Sequence, residues 1–241
     1  MTRPMRSVLF GLLLVCATLA HGTQAPKYIF LFIGDGMGFN HVEASQIYAE
    51  KVGTDTGERS LLFPTFPVMT QVCTRSASHL ITCSSAAATA LATGEKTTNY
   101  VIGMDAKKQH GLKSLARQLK GKGYKIGIIT SASIDHATPG SFYASQPDRS
   151  MYYEIGVDAA NSGFDFFGGA GLLQPRSKRN ASAPCLYDLF HQKGYTMYRG
   201  MDAYNRSHVK DKVLLFPTDT VSGSLKYALD RSEKDLGLPD L

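Results

Sequence analysis

Short uninterrupted apolar runs alternate with amphipathic stretches along this chain, and the two periods predict different elements. Lys27 to Ile33 (KYIFLFI) is almost continuously apolar and stops at Gly34-Asp35-Gly36. Such a run suits a strand covered on both faces, the usual state in parallel α/β sheets. Asn40 to Glu50 predicts a helix. A Gly/Thr-rich loop and the Pro-rich stretch Phe63 to Pro67 follow, and Val68 to Thr74 predicts a second strand. Ser84 to Thr93 is Ala-rich and closes on Gly94, the pattern of a helix with a glycine stop.

Further on, Leu112, Leu115, Ala116 and Leu119 recur at helical spacing within Leu112 to Lys120, and Gly121 and Gly123 end the pattern. Lys125 to Thr130 (KIGIIT) predicts a buried strand. The alternation continues with a helix over Arg149–Ala160, a strand over Phe164–Phe167, a helix over Leu186–Gln192 and a strand over Val213–Phe216. Strands separated by helices indicate an α/β fold, a layered α/β/α sandwich with a mostly parallel central sheet. Ligands in such sheets bind at the carboxyl ends of the strands. Asp35 follows the first predicted strand, Ser84 opens the Ala-rich helix, and His136 and Thr138 follow the KIGIIT strand, so the chemically able residues gather where a site is expected.

The amino terminus reads differently from the rest. Arg3 and Arg6 lead into the uncharged run Val8 to Ala20, and small residues then allow cleavage after Gly22 or Ala25. That layout is a secretory signal peptide over residues 1–25, too short for a stable membrane span, and it places the mature chain, 26–241, in a secreted or periplasmic setting. Its removal takes the balance from 26 Lys+Arg against 20 Asp+Glu to 24 against 20. So mild a surplus, with no long basic run, argues against nucleic acid as a partner. Cys73, Cys83 and Cys185 remain, an odd number, so at least one stays free or pairs between chains.

Each candidate residue has a bland reading beside its chemical one. Asp35, between two glycines, suits Mg²⁺ or Zn²⁺ ligation, or is a turn residue capping the next helix. Ser84, at a helix start, sits where backbone N–H groups favour phosphate, or is an ordinary N-cap. His136 and Thr138, in Ile134-Asp135-His136-Ala137-Thr138-Pro139, are metal ligands or loop residues. Arg149 is a bidentate phosphate clamp or a solvated charge.

Taken together and in order, these segments resemble the alkaline phosphatase family from about Lys27 to Leu173. The matching motifs are Gly34-Asp35-Gly36-Met37-Gly38, Ser84 with Ala86 to Gly94, Lys96-Thr97, Gly103-Met104-Asp105, His136-Ala137-Thr138-Pro139, and Arg149 thirteen residues after His136. The resemblance implies phosphomonoester hydrolysis with Zn²⁺ and Mg²⁺ as cofactors and phosphate monoesters as substrates. Asp35 would bridge a zinc and the third metal, and Thr138 and His136 would help hold that metal, usually magnesium. Ser84, also a metal ligand, would form a phosphoserine that metal-bound hydroxide hydrolyses, and Arg149 would grip two phosphate oxygens. Homodimers are common in the family.

Two departures from the family pattern stand out. Cys83 replaces the Asp that usually precedes the nucleophile and orients the Arg. The later zinc-ligand motifs have no counterpart after Arg149, where His191 and His208 lie in unrelated settings. A complete two-zinc site is therefore not expected from these residues, and Ser232 to Gly237 reads as the approach to another helix. The 241-residue chain is accordingly expected to be an incomplete part of the catalytic domain, with little or no turnover by itself. The competing readings are a related phosphodiesterase or sulfatase, and a non-catalytic secreted protein that binds phosphate or metal.

Overall fold

The computed structural model describes residues 25–53, 57–209, 211–219, 223–233 and 235–241. The signal-peptide segment falls outside them except for its last residue. Contacts divide the chain into two units, Met1–Gly34 and Asp35–Leu241. In the first, residues 25–34 carry no regular element, and Tyr28, Phe30 and Phe32 are 69%, 79% and 90% exposed. The strand predicted over Lys27–Ile33 is therefore not formed. A strand exists only by exchanging ladder hydrogen bonds with a neighbour, and no ladder bond reaches this run among the described residues.

In the second unit, helix α1 spans Phe39–Val52 and a 3₁₀ turn spans Phe63–Thr65. The strand predicted over Val68–Thr74 is also absent, for the same reason: the segment is irregular and its apolar side chains face outward. Helix α2 occupies Ser84–Thr93 and ends on Gly94 in the left-handed conformation (φ 80°), as the Gly stop requires. The alternation then proceeds through α3 (Leu115–Gly121), β1 (Gly127–Ile129), the single turn α4 (Ala137–Gly140), α5 (Tyr152–Asn161), β2 (Phe166–Gly168), α6 (Leu186–Gln192), β3 (Thr196–Arg199), α7 (Met201–Asn205) and β4 (Val213–Phe216).

The four strands form one parallel sheet in the order β1-β2-β4-β3. Successive residues of β2 point to opposite faces. On one face Phe167 packs edge-on to Tyr143 (5.4 Å between ring centres) and to Phe190 of α6 (6.0 Å). On the other, Phe166 meets Tyr204 of α7 at 6.1 Å, beside the buried Val213, Leu215 and Leu236. With side chains from helices on both faces, every residue of β4 is buried. The fold is thus a layered α/β sandwich on a parallel sheet.

Parallel strands send all their following loops to one edge, and here those loops are stitched together. After β1 and β2, the Thr130 amide donates to Gly168 O (3.0 Å), Ala170 to Ala132 O (2.9 Å) and Ile134 to Gly171 O (2.9 Å). This brace positions Asp135 to Thr138. Cys73, Cys83 and Cys185 are all unpaired. Among the described residues no helix is long and apolar enough to cross a membrane.

Candidate active site

Ser84 is the first helical residue of α2, while the N-cap is Cys83, whose side chain makes no capping bond. The Ser84 hydroxyl is consequently free of the backbone and donates to Asp35 Oδ1 at 3.1 Å. Thr138, on α4 after β1, donates its hydroxyl to the other oxygen, Asp35 Oδ2, at 2.9 Å. One carboxylate therefore holds two hydroxyls from two separate helix starts. The capping roles open to Ser84 and Asp35 are both unused here.

The register between those helices is set by buried hydroxyls that the sequence patterns did not single out. Ser141 Oγ donates to Ala137 O (2.9 Å) and approaches Ser85 O (3.3 Å), while Thr89 Oγ1 donates to it (3.4 Å). Thr89 in turn accepts the Gly103 amide at 3.0 Å. The available signal was a Thr interrupting an alanine run and a Ser four residues after Ala137.

Ser85, the neighbouring hydroxyl, is completely buried and lies 3.1 Å from Cys83 Sγ. Burial pushes the Cys83 thiol up, but the Ser85 hydroxyl and the amides of Tyr100, Ala86 and Ser85 together hold it below its ordinary value. Cys83 Sγ also accepts the Tyr100 amide at 3.1 Å, and Tyr100 O accepts the Arg149 amide at 2.7 Å. Tyr100 makes both contacts from a left-handed backbone (φ 72°). The sulfur thus reaches the Arg149 main chain through Tyr100, and the guanidinium lies elsewhere.

That guanidinium meets His136, with Nη2 to Nε2 at 3.4 Å. Arginine only donates, so the ring nitrogen accepts and the imidazole carries its proton on Nδ1. Burial, reinforced by the adjacent Arg149 charge, lowers the His136 pKa and keeps the ring neutral, against the opposing pull of Asp35 and Asp135. Asp35, Ser84 and Thr138 therefore form one cluster, and His136 with Arg149 a second contact in the same unit.

The first cluster is made of oxygen donors, which fit the hard cation Mg²⁺. Zinc prefers nitrogen or sulfur with carboxylate, and His136 is the adjoining residue of that kind. Among the described residues no three His, Cys, Asp or Glu side chains gather around one point.

A family profile described as alkaline phosphatase matches residues 26–165, more than half of the chain. The chain belongs to the alkaline phosphatase family. Among curated relatives, alkaline phosphatase 4 of Bacillus subtilis is 30% identical over 229 residues, covering 89% of this chain and 46% of that protein. Alkaline phosphatase 4 of Drosophila melanogaster is 34% identical over 149 residues, 58% of this chain and 25% of its own length. Among solved structures, the Thermus thermophilus alkaline phosphatase superposes with a TM-score of 0.70 at 28% identity, covering 86% of this chain and 43% of that one. A cold-active alkaline phosphatase from Shewanella gives 0.67 at 27%, covering 83% and 47%. This alkaline phosphatase family chain spans about half the length, or less, of the relatives it matches.

Proposed function

We propose that this chain carries the nucleophile, the magnesium-binding residues and the phosphate clamp of an exported phosphomonoesterase that works through a phosphoserine on Ser84. The observation that carries the reading is the Asp35 carboxylate between the Ser84 and Thr138 hydroxyls. Family membership supports the reaction class, and a neighbouring alkaline phosphatase from the Antarctic bacterium TAB5, in a His-to-Glu variant, holds magnesium. The amino-terminal pattern of Arg3, Arg6 and Val8–Ala20 supports export.

In this reading Ser84 Oγ attacks the phosphorus of a monoester, and its proton leaves along the bond already aligned on Asp35. The Ser84 O–P bond forms as the ester O–P bond breaks and the alcohol departs; water then cleaves the phosphoserine and frees orthophosphate. Asp35 and Thr138, with His136 directly or through water, would hold magnesium, and Asp35 and Ser84 would face zinc. The metals, when bound, lower the hydroxyl pKa and offset phosphoryl charge. Arg149 exchanges its long contact with neutral His136 for two charge-assisted bonds to phosphate oxygens, a stronger and bidentate arrangement.

The test is chemical trapping. The chain is incubated with inorganic phosphate, Mg²⁺ and Zn²⁺ at mildly acidic pH, then quenched and digested for peptide mass analysis. The expected product is a single phosphoryl group on Ser84. A phosphoryl group on Ser85, or none on this peptide, would overturn the assignment.

A further inference from the structure

A cavity of ≈ 170 Å³ opens one residue beyond Arg149, lined by Ser150, Met151, Glu154, Gln174, Lys178 and Arg179. One wall, Ser150 to Glu154, continues directly from Arg149 into α5. The other comes from the loop after β2, and that loop is tied down at several points. Asp135 accepts the amides of Leu173 (3.0 Å) and Gln174 (3.1 Å), the Leu186 amide donates to Pro175 O (2.8 Å), and Ser177 Oγ accepts the amides of Arg179 (3.2 Å) and Asn180 (3.1 Å).

Asp135 is wholly buried. A buried carboxylate is costly unless it is hydrogen-bonded, and its oxygens are committed to this loop. Because Asp135 precedes His136, the loop and the His136–Arg149 contact are set by the same short segment.

The lining is unevenly charged. Lys178 and Arg179 are exposed, with Arg176 beside them, and none of the three is in an ion pair among the described residues. Glu154 is the acidic member of the lining, so Lys178 and Arg179 outnumber its acidic residues, and Arg149 immediately precedes the first lining residue in sequence. The volume is below the roughly 300–1,000 Å³ of pockets for drug-sized ligands, and suits one small group. A guanidinium and an ammonium that line such a space suit recognition of a phosphoryl oxyanion.

We infer that this cavity is an anion subsite for a second phosphoryl group carried by the leaving group, so that diphosphates and bisphosphates are the favoured substrate class. The inference rests on the reading of Arg149 as the clamp for the first phosphoryl group.

Calorimetric titration of the 241-residue chain with inorganic phosphate and with pyrophosphate, in metal-free buffer, separates the two. The unaltered chain is expected to bind pyrophosphate about tenfold tighter or more, the value of one charge-assisted contact. Lys178→Ala with Arg179→Ala removes that preference and leaves phosphate affinity unchanged, with an unaltered circular dichroism spectrum because both side chains are exposed. Arg149→Ala weakens both anions. Equal affinity for the two anions in the unaltered chain, or a preference that survives the double substitution, overturns the subsite while the clamp stands. Phosphate binding indifferent to Arg149→Ala, with a pyrophosphate preference that still depends on Lys178 and Arg179, overturns the clamp and spares the subsite. Binding of neither anion overturns both.

Discussion

The Ser84 hydroxyl donates to Oδ1 of Asp35 at 3.1 Å, joining residues forty-nine positions apart. Thr138, one hundred and three positions from Asp35, reaches the opposite oxygen. A carboxylate with both oxygens engaged by hydroxyls is oriented before any cation arrives, which is the preorganisation that metal and nucleophile chemistry requires.

Asp35→Asn removes the negative charge while keeping the shape. Magnesium affinity of the chain, read by calorimetry, is expected to fall by more than the roughly 10–100-fold that loss of an outer-shell partner costs. An unchanged affinity would remove Asp35 from the metal site.

Ser84 and Ser85 are expected to separate cleanly. Ser84→Ala abolishes phosphoryl trapping and leaves thermal stability nearly unchanged, because its hydroxyl is half-exposed and caps nothing. Ser85→Ala keeps the trapping but lowers stability by about 1 kcal/mol, since it deletes a buried bond to Cys83. Thermal melts beside peptide masses check both arms; the reverse pattern would move the nucleophile to Ser85.

Gly103 admits no side chain. Its φ is 56°, and an added Cβ would meet Ala144 O at 2.0 Å. Gly103→Ala is expected to cost about 2–4 kcal/mol from left-handed strain plus overpacking against the main chain. Denaturant unfolding measures it. A loss under half a kcal/mol would show that the Thr89–Gly103–Ala144 packing does not govern this region.

Acid stability should depend on Asp235. The Lys226 ammonium, 2.7 Å away, and the Ser232 amide and hydroxyl hold its carboxyl down to about 2, from an ordinary value of 3.8. A folded-state pKa below the unfolded one means the unfolded chain binds the proton more readily. The stabilisation is therefore present above pH 3.8 and fades as pH falls from there toward 2. Asp235→Asn is expected to lower the melting temperature slightly at pH 7, with the difference shrinking as pH falls toward 2, where the folded carboxyl is half protonated. A difference that grows toward low pH would contradict this.

Local patterns predicted some elements with great accuracy. The α2 helix, Ser84–Thr93, α6, Leu186–Gln192, and β4, Val213–Phe216, occupy the predicted residues because each carries its own stop signal or a run too apolar to be anything but interior. Lys27–Ile33 is nearly as apolar as β4, and Val68–Thr74 is rich in strand-forming residues, yet neither forms a strand, since composition does not supply a neighbour to pair with. The strand Thr196–Arg199 went unpredicted: its residues, TMYR, are neither a continuous apolar run nor a clean alternation, and pairing with β4 makes it a strand.

The sequence by itself determined the family, the α/β alternation and the identity of the residues able to do chemistry, because those depend on residue type, order and short-range spacing. Only the tertiary structure decided which of them meet. Asp35 holds Ser84 and Thr138, Arg149 lies against His136, and Cys83 turns to Ser85 and Tyr100. Hydrogen bonds act over about 3 Å, and only folding closes separations of tens of residues to that distance.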